Sequence, residues 1–215
     1  KNYNPEVISL NGIGYYNKGS LDKINHNAYT KLYFDYAKRN VSEGVLSKEK
    51  RLNIVKKMFK FENDLPLNMQ PHIVSRKAIS RIKKNIYQPP FPDHYALNSL
   101  LLTADSWYIS YKKIVALGIT NKSFGHFYFN SKIQDGINYL GHKMDFPGAI
   151  EGSVLNTCMM IWLKNIKKDY SNYLSEVKLS RSNYIHRQFF FITSQYLKSN
   201  INFITIIKFF SNLSI

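Results

Sequence analysis

Asp93 stands where an acidic side chain could act on a substrate. It directly follows the segment Pro-Pro-Phe-Pro at positions 89–92, and each proline restricts the residue before it to extended backbone. A carboxylate that follows such a rigid backbone segment is suited to accept a proton from a bound hydroxyl group. Aspartate is also a preferred helix N-cap residue, so a purely structural role at the start of a helix is the alternative.

The second candidate site is the loop 120–126, Thr-Asn-Lys-Ser-Phe-Gly-His, which follows a predicted buried strand. Lys122 would place a positive charge beside a diphosphate, and Ser123 would donate a hydrogen bond to it. Gly125 would let the backbone approach the diphosphate closely. An ordinary surface loop in which His126 caps the chain is the alternative.

The familiar catalytic signatures are missing from the sequence. There is no phosphate-binding loop, no HExxH, no GxSxG, and Gly12-Ile13-Gly14 lacks the third glycine of a dinucleotide fingerprint. The histidines show no paired helical spacing that would direct two imidazoles at one metal. Their positions are 26, 72, 94, 126, 142 and 186.

The chain is basic: 30 Lys and Arg against 14 Asp and Glu give a net charge of +16, and 24 of the 30 cations are Lys. Codon bias and selection for an anionic partner explain this excess equally well. Arginine is the residue that forks onto phosphates and guanine edges, so its scarcity argues against nucleic acid as the partner. The 44% of hydrophobic residues excludes native disorder.

A single cysteine, Cys158, excludes an internal disulfide framework and a Cys-based zinc site, and it favours a reducing compartment such as the cytoplasm. No window holds about eighteen uncharged apolar residues, and the first residues lack a signal-peptide core. The sequence therefore predicts no membrane span and no export by this route. Because the chain opens directly into a strand, we expect the natural protein to begin earlier.

The elements that must position these residues follow from local patterns. Asn11-Gly12 predicts a hairpin between two short strands, and two further strands are expected on either side of a polar turn at Tyr111 to Lys113. Ser47 and Ser75 are placed to cap amphipathic helices whose outer faces carry lysines. Further predictions are a strand at 72–74, a helix beginning near residue 93, and helices near 131–140, 149–166, 181–198 and 201–210.

Three short motifs resemble a known family. They are Leu65-Pro66 before a short strand and a basic helix, Pro92-Asp93 at a helix start, and Gly-Ile-x-x-Lys-Ser-x-Gly from Gly118 to Gly125. Together they resemble the second half of the family-2-type bacterial glycosyltransferases with the GT-A fold, which occur in surface-polysaccharide clusters. The resemblance extends from residue 65 to about residue 130.

This resemblance implies inverting transfer of a sugar from a nucleotide-sugar donor to a saccharide or lipid-linked acceptor, with Asp93 as the catalytic base. The residues implied to bind the acceptor are His72, Arg76 and His94. The residues implied to bind the donor diphosphate are Lys122, Ser123, Gly125 and His126.

Such enzymes hold the diphosphate through Mg²⁺ or Mn²⁺ bound by an Asp-x-Asp element, and none occurs in these 215 residues. Glu62-Asn63-Asp64 is the nearest sequence, at a predicted helix end. The resemblance therefore implies that the chain is the acceptor-side portion, that the main metal ligands precede it, and that it is inactive alone.

We predict an α/β fold with two parts. Residues 1–140 would form an incomplete GT-A-like mixed sheet with flanking helices, and residues 141–215 a helical C-terminal extension. Two other functions stay open: a basic RNA-associated or ribosomal protein without catalysis, and a structural or membrane-surface helical module. The apolar stretch from Ile201 to Phe210 would either pack on the domain or lie peripherally on the inner face of the cell membrane.

Overall fold

The computed structural model shows a mixed α/β protein and describes residues 4–20, 26–62, 67, 70–121, 123, 126–127, 133–141, 149–150 and 152–211. Its strands are β1 (Val7–Tyr16), β2 (Ala28–Phe34), β3 (Gly44–Val45), β4 (His72–Val74) and β5 (Trp107–Ile119). Its helices are α1 (Lys48–Phe59), α2 (Arg76–Ile79), α3 (Pro92–Thr103), α4 (Ile133–Leu140), α5 (Val154–Asp169), α6 (Ser171–Leu174), α7 (Arg181–Leu197) and α8 (Phe203–Ser211).

A five-stranded mixed sheet is built around the parallel pair β1 and β5. On its other edge, β1 pairs antiparallel with β4 near its start and with β2 near its end. The short strand β3 pairs antiparallel with β5. Because β1 and β5 run parallel, with Tyr16 opposite Ile119, the loops that follow them emerge at the same edge of the sheet.

Two turns predicted from the sequence are wrong, and both lie where the register between β1 and β5 shifts on each side of Asn11. Leu10 pairs with Ser110 and Asn11 pairs with Lys113, so Tyr111 and Lys112 bulge out of a continuous strand. The buried Asn11 side chain donates to the Tyr111 carbonyl at 3.3 Å and accepts from the Tyr36 amide at 3.0 Å. Its amide thus compensates the disrupted ladder instead of forming a hairpin turn.

The helix starts predicted at Ser47 and Ser75 are confirmed. The Ser47 hydroxyl accepts from the Lys50 amide at 3.3 Å, and the Ser75 hydroxyl accepts from the Ala78 amide at 3.2 Å. Each hydroxyl satisfies a backbone donor that the first turn leaves open. The later helical segments are confirmed as α4, α5, α7 and α8, with ends shifted by a few residues.

One hydrophobic cluster joins the sheet to the helices on both sides of residue 140. It includes Trp107 of β5, Leu97 of α3, Trp162 of α5 and Phe209 of α8, all almost fully buried. The Tyr95 hydroxyl also donates to the Asp169 carboxylate at 2.9 Å, which links α3 to the end of α5. The predicted GT-A-like domain and the boundary after residue 140 stay predictions.

Candidate functional site

The start of α3 presents the Asp93 carboxylate. The N-cap residue is Phe91, Pro92 is the first helical residue, and Asp93 is the second. Asp93 is therefore not the N-cap residue, although it lies in the first turn of the helix, so the structural alternative stays open. Its Oδ1 accepts from the amide of His94 at 3.0 Å, and the half-buried carboxylate forms no ion pair within the described part of the chain.

The His94 imidazole packs between two aromatic rings. Its centroid lies 5.3 Å from the ring of Phe91 and 5.3 Å from the ring of Trp162. Its Nδ1 is buried and has no hydrogen-bond partner among the described residues. Burial lowers the pKa of His94, although the Asp93 carboxylate opposes that shift. The neutral ring therefore supports the first turn of α3 by packing, while its backbone amide holds Asp93.

His72 belongs to a hydrogen-bonded group that crosses the sheet. Its Nδ1 lies 2.9 Å from the Ser9 hydroxyl oxygen, which accepts from the Trp107 indole N–H at 2.7 Å. The Tyr36 hydroxyl also interacts with Ser9, and burial raises the pKa of Tyr36 to about 12. The half-buried His72 ring rests edge-on against Trp107 at 5.6 Å. This network fixes the orientation of the imidazole on β4.

Arg76 is the first residue of α2 and is exposed. Within the described residues its guanidinium forms no ion pair. Asp93 has no hydrogen bond to Arg76 or to His72 in that same part of the chain. Within the described residues, no hydrogen bond therefore joins the implied base to these two acceptor residues.

The loop after β5 is fastened to the loop after β1. The Ser123 hydroxyl donates to the Thr120 carbonyl at 2.8 Å and accepts from the Thr120 amide at 3.2 Å, which closes a tight turn. Buried His126 places its Nδ1 2.6 Å from the carbonyl oxygen of Ser20. The loop is thus anchored at the sheet edge where the parallel strands end. Lys122 and Gly125 lie outside the described residues, as do Leu65 and Pro66 of the first motif.

A charged cluster at the opposite end of β1 was not predicted from the sequence. Arg81 donates to both carboxylate oxygens of Glu6 and to Asp105 at 2.9 Å, and Lys77 lies 3.4 Å from Glu6. Burial alone raises the pKa of Glu6, but hydrogen bonds from the Asp105 amide and Arg81 lower it overall. No local spacing in the sequence indicates this pairing, because Glu6 and Arg81 lie 75 residues apart.

The lysine-rich face of α1 borders a cavity of about 720 Å³. Lys56, Lys57 and Lys60 line one side, and the segment from Tyr173 to Lys178 lines the other. Glu62 and a second glutamate are also in the lining. The three lysines are exposed, which agrees with the predicted solvated face.

The divalent metal that the resemblance implies would have its main ligands outside this chain. Among the described residues, no group of three or more His, Cys, Asp or Glu side chains could hold a metal ion.

The geometry thus arranges the site residues in three groups: Asp93 with His94 on α3, His72 with the sheet network, and Ser123 with His126 at the carboxyl edge of the parallel strands. Comparison with protein-family models, with curated proteins and with solved structures finds no match to this chain.

Proposed function

We propose that the chain is the acceptor-side portion of a glycosyltransferase that moves a sugar from a nucleotide-sugar donor to a saccharide or lipid-linked acceptor in surface-polysaccharide synthesis in the cytoplasm. The observation that carries the proposal is the Asp93 carboxylate. It is half-buried at a helix start, bound at one oxygen by the next amide, and paired with no cation in the described chain. The motif resemblance supplies the reaction class.

The chemistry needs one such carboxylate. In an inverting transfer, the acceptor hydroxyl oxygen forms a bond to the anomeric carbon while the bond to the departing nucleotide breaks on the opposite face. Asp93 accepts the hydroxyl proton through the oxygen that the His94 amide leaves open. The amide of His94 fixes the carboxylate geometry, so little reorganisation is needed when the proton moves.

Arg76 and His72 would serve the acceptor in different ways. The exposed guanidinium of Arg76 can donate several hydrogen bonds to sugar hydroxyls or to a lipid phosphate. His72 is held by Ser9 and is suited to a directed hydrogen bond. We expect Arg76→Ala to raise the acceptor KM several-fold while leaving slow hydrolysis of the donor unchanged.

The donor would lie at the edge where the parallel strands end. Such edges bind ligands in open α/β sheets because the loops that follow the strands converge there. The hydrogen bond from His126 to Ser20 anchors the loop that carries Ser123 and Lys122. Lys122 would then contribute a point charge to the diphosphate. The metal that this reaction class uses would be held outside the described residues.

The deciding experiment compares two carboxylates at the same helix position. Asp93 is the second residue of α3 and Glu49 is the second residue of α1, so both meet the positive end of a helix. In the natural full-length protein, nucleoside diphosphate release from a panel of sugar nucleotides is measured with saccharide and polyprenyl-phosphate acceptors. Asp93→Asn should lower turnover by about 10²–10⁴, whereas Glu49→Gln should leave it within about twofold.

Turnover by Asp93→Asn close to that of the unaltered protein would overturn the role of Asp93. Binding of RNA and of sugar nucleotides, each measured at increasing salt concentration, tests RNA association. Phosphate-backbone binding weakens linearly in log[salt], whereas sugar-nucleotide binding in a pocket is far less sensitive. Tight binding of mixed RNA that collapses at high salt, with no transfer to any acceptor, would favour the RNA-associated alternative.

A further inference from the structure

The last two long helices form a hairpin with an exposed apolar face. Tyr196 near the end of α7 contacts Phe203 at the start of α8, with ring centroids 6.2 Å apart. Phe189, earlier in α7, contacts Phe210 near the end of α8 at 5.5 Å. These two contacts show that the helices run antiparallel side by side.

The outer face of α8 is a continuous apolar stripe. Phe203, Ile207 and Phe210 occur at i, i+4 and i+7, and they are 59%, 54% and 50% exposed. Phe190 and Leu197 extend the surface on α7 and are more than 70% exposed. We call these five residues the hairpin face. Contiguous exposed apolar surface of this kind marks an interaction site.

The inner face of α8 anchors the hairpin to the rest of the protein. Phe209 is fully buried, contacts Phe189 at 6.0 Å and belongs to the main hydrophobic cluster. Ile206 is partly buried against the same cluster. The helix therefore has a second apolar face, on which Phe203, Ile207 and Phe210 stay about half exposed even though Phe203 and Phe210 contact α7.

The charge of this region indicates what covers the other face. After Glu176 the sequence contains no Asp or Glu through residue 215, but it contains five Lys and Arg residues. Lys198 follows α7 and Lys208 lies on α8; both are exposed, and neither forms an ion pair in the described chain. Exposed lysines next to an aromatic and aliphatic face, in a segment of sequence without acidic residues, are complementary to anionic lipid headgroups over acyl chains.

We propose that the hairpin face docks on the surface of a bilayer that contains anionic phospholipids. Among the described residues, no helix is both long enough and apolar enough to cross a membrane. The helices would therefore lie in the plane of the headgroups, with Phe203, Ile207 and Phe210 inserted and the lysines at the phosphates. This docking does not depend on the proposed sugar transfer.

The test is co-sedimentation of the full chain with phosphatidylcholine vesicles, with and without phosphatidylglycerol. We expect binding to the mixed vesicles and much weaker binding to phosphatidylcholine alone. Ile207→Ser with Phe210→Ser should lower partition into mixed vesicles at least about tenfold, because two inserted side chains are lost. The matched control, Ile73→Ser with Ile114→Ser, alters two isoleucines of the sheet that are 52% and 67% exposed and should change partition less than about twofold.

A second variant tests the electrostatic part without touching the apolar face. Lys198→Glu with Lys208→Glu should lower binding to phosphatidylglycerol vesicles about tenfold or more and leave the weak binding to phosphatidylcholine unchanged. Equal binding by both double variants and the unaltered chain would overturn the proposal. The proposal would also be overturned if the unaltered chain did not bind vesicles but formed a dimer, and if Ile207→Ser with Phe210→Ser dissociated that dimer. The hairpin face would then join two copies of the chain.

Discussion

Two polar junctions hold the protein together, one at the start of the sheet and one between the C-terminal helices. At the first, Glu6 on the approach to β1 is bound by Arg81, by Lys77 and by the amide of Asp105. Every strong contact of this junction involves a charge. This junction joins Glu6 to two segments that lie 75 and 99 residues later in the chain.

The second junction is neutral. The fully buried amide of Gln188 on α7 accepts from the Ser153 amide at 2.7 Å and donates to the Thr157 hydroxyl at 3.0 Å and to the Tyr184 hydroxyl at 3.3 Å. Gly152 leaves room for it, because a Cβ there would lie 2.5 Å from the Gln188 carbonyl oxygen. The start of α5 is thereby fixed to α7.

Because one junction is charged and the other neutral, the stabilities of the two regions should depend differently on pH. A carboxylate held by a guanidinium couples folding to protonation, whereas an amide network centred on Gln188 has no group at its centre that titrates near neutral pH. Asp93 belongs to neither kind of junction, since one amide is its only described partner. Asp93 therefore differs from Glu6 in its contacts, and its catalytic role stays a prediction.

The largest expected effect is at the charged junction. Arg81→Met should lower the free energy of unfolding by about 3 kcal/mol, because it leaves the buried Glu6 carboxylate without its main partner. Urea titration followed by circular dichroism measures this loss. Asp105→Asn is the control: that carboxylate is 68% exposed, so its loss should cost less than about 1 kcal/mol. Equal losses in the two variants would contradict the importance of burial here.

A smaller loss is expected at the neutral junction. Gln188→Leu should cost about 2 kcal/mol, because the Ser153 amide and the Thr157 hydroxyl lose their buried partner. Gln195→Leu, on the same helix, removes only an exposed hydrogen bond to Asn200 and should cost less than about 0.5 kcal/mol. Thermal melting of the pair compares them directly; matching midpoints would mean that the network adds nothing to stability.

Acid should distinguish the two junctions more finely. The folded-state pKa of Glu6 lies below its ordinary value of 4.5, so its stabilising contribution is present above that pH and is lost as pH falls through the folded-state pKa. Urea titrations from pH 7 to pH 3 should show a shallower pH dependence for Glu6→Gln than for the unaltered chain. Gln188→Leu should keep the full dependence; a flattened profile in that variant would contradict the separation of the two junctions.

The smallest effect on stability should come from Asp93→Asn. The carboxylate interacts with the helix dipole and with one amide, so its neutralisation should cost about 0.5 kcal/mol. Glu49→Gln at the equivalent position of α1 should cost a similar amount. A loss of several kcal/mol for Asp93→Asn in a melting experiment would place Asp93 among the structural carboxylates.

Local sequence patterns predicted much of the secondary structure. Ser47 and Ser75 cap helices as expected because a cap bonds to an amide only three residues away. The apolar periodicities after residue 130 predicted α5, α7 and α8 for a similarly local reason. The same patterns led to Asp93, although its exact place in the first turn came from the structure.

Only the tertiary structure decided which distant residues meet. Asn11 followed by Gly12 has the local preference of a turn, yet the Asn11 side chain bonds to backbone 25 and 100 residues away, and the strand continues through it. The polar residues near Tyr111 likewise form a bulge and not a turn, because the residues of β5 before and after them both pair with β1. Glu6 and Arg81 pair across 75 residues. Composition and spacing do not predict such pairings, because the free energy that stabilises them arises only once the sheet and helices have assembled.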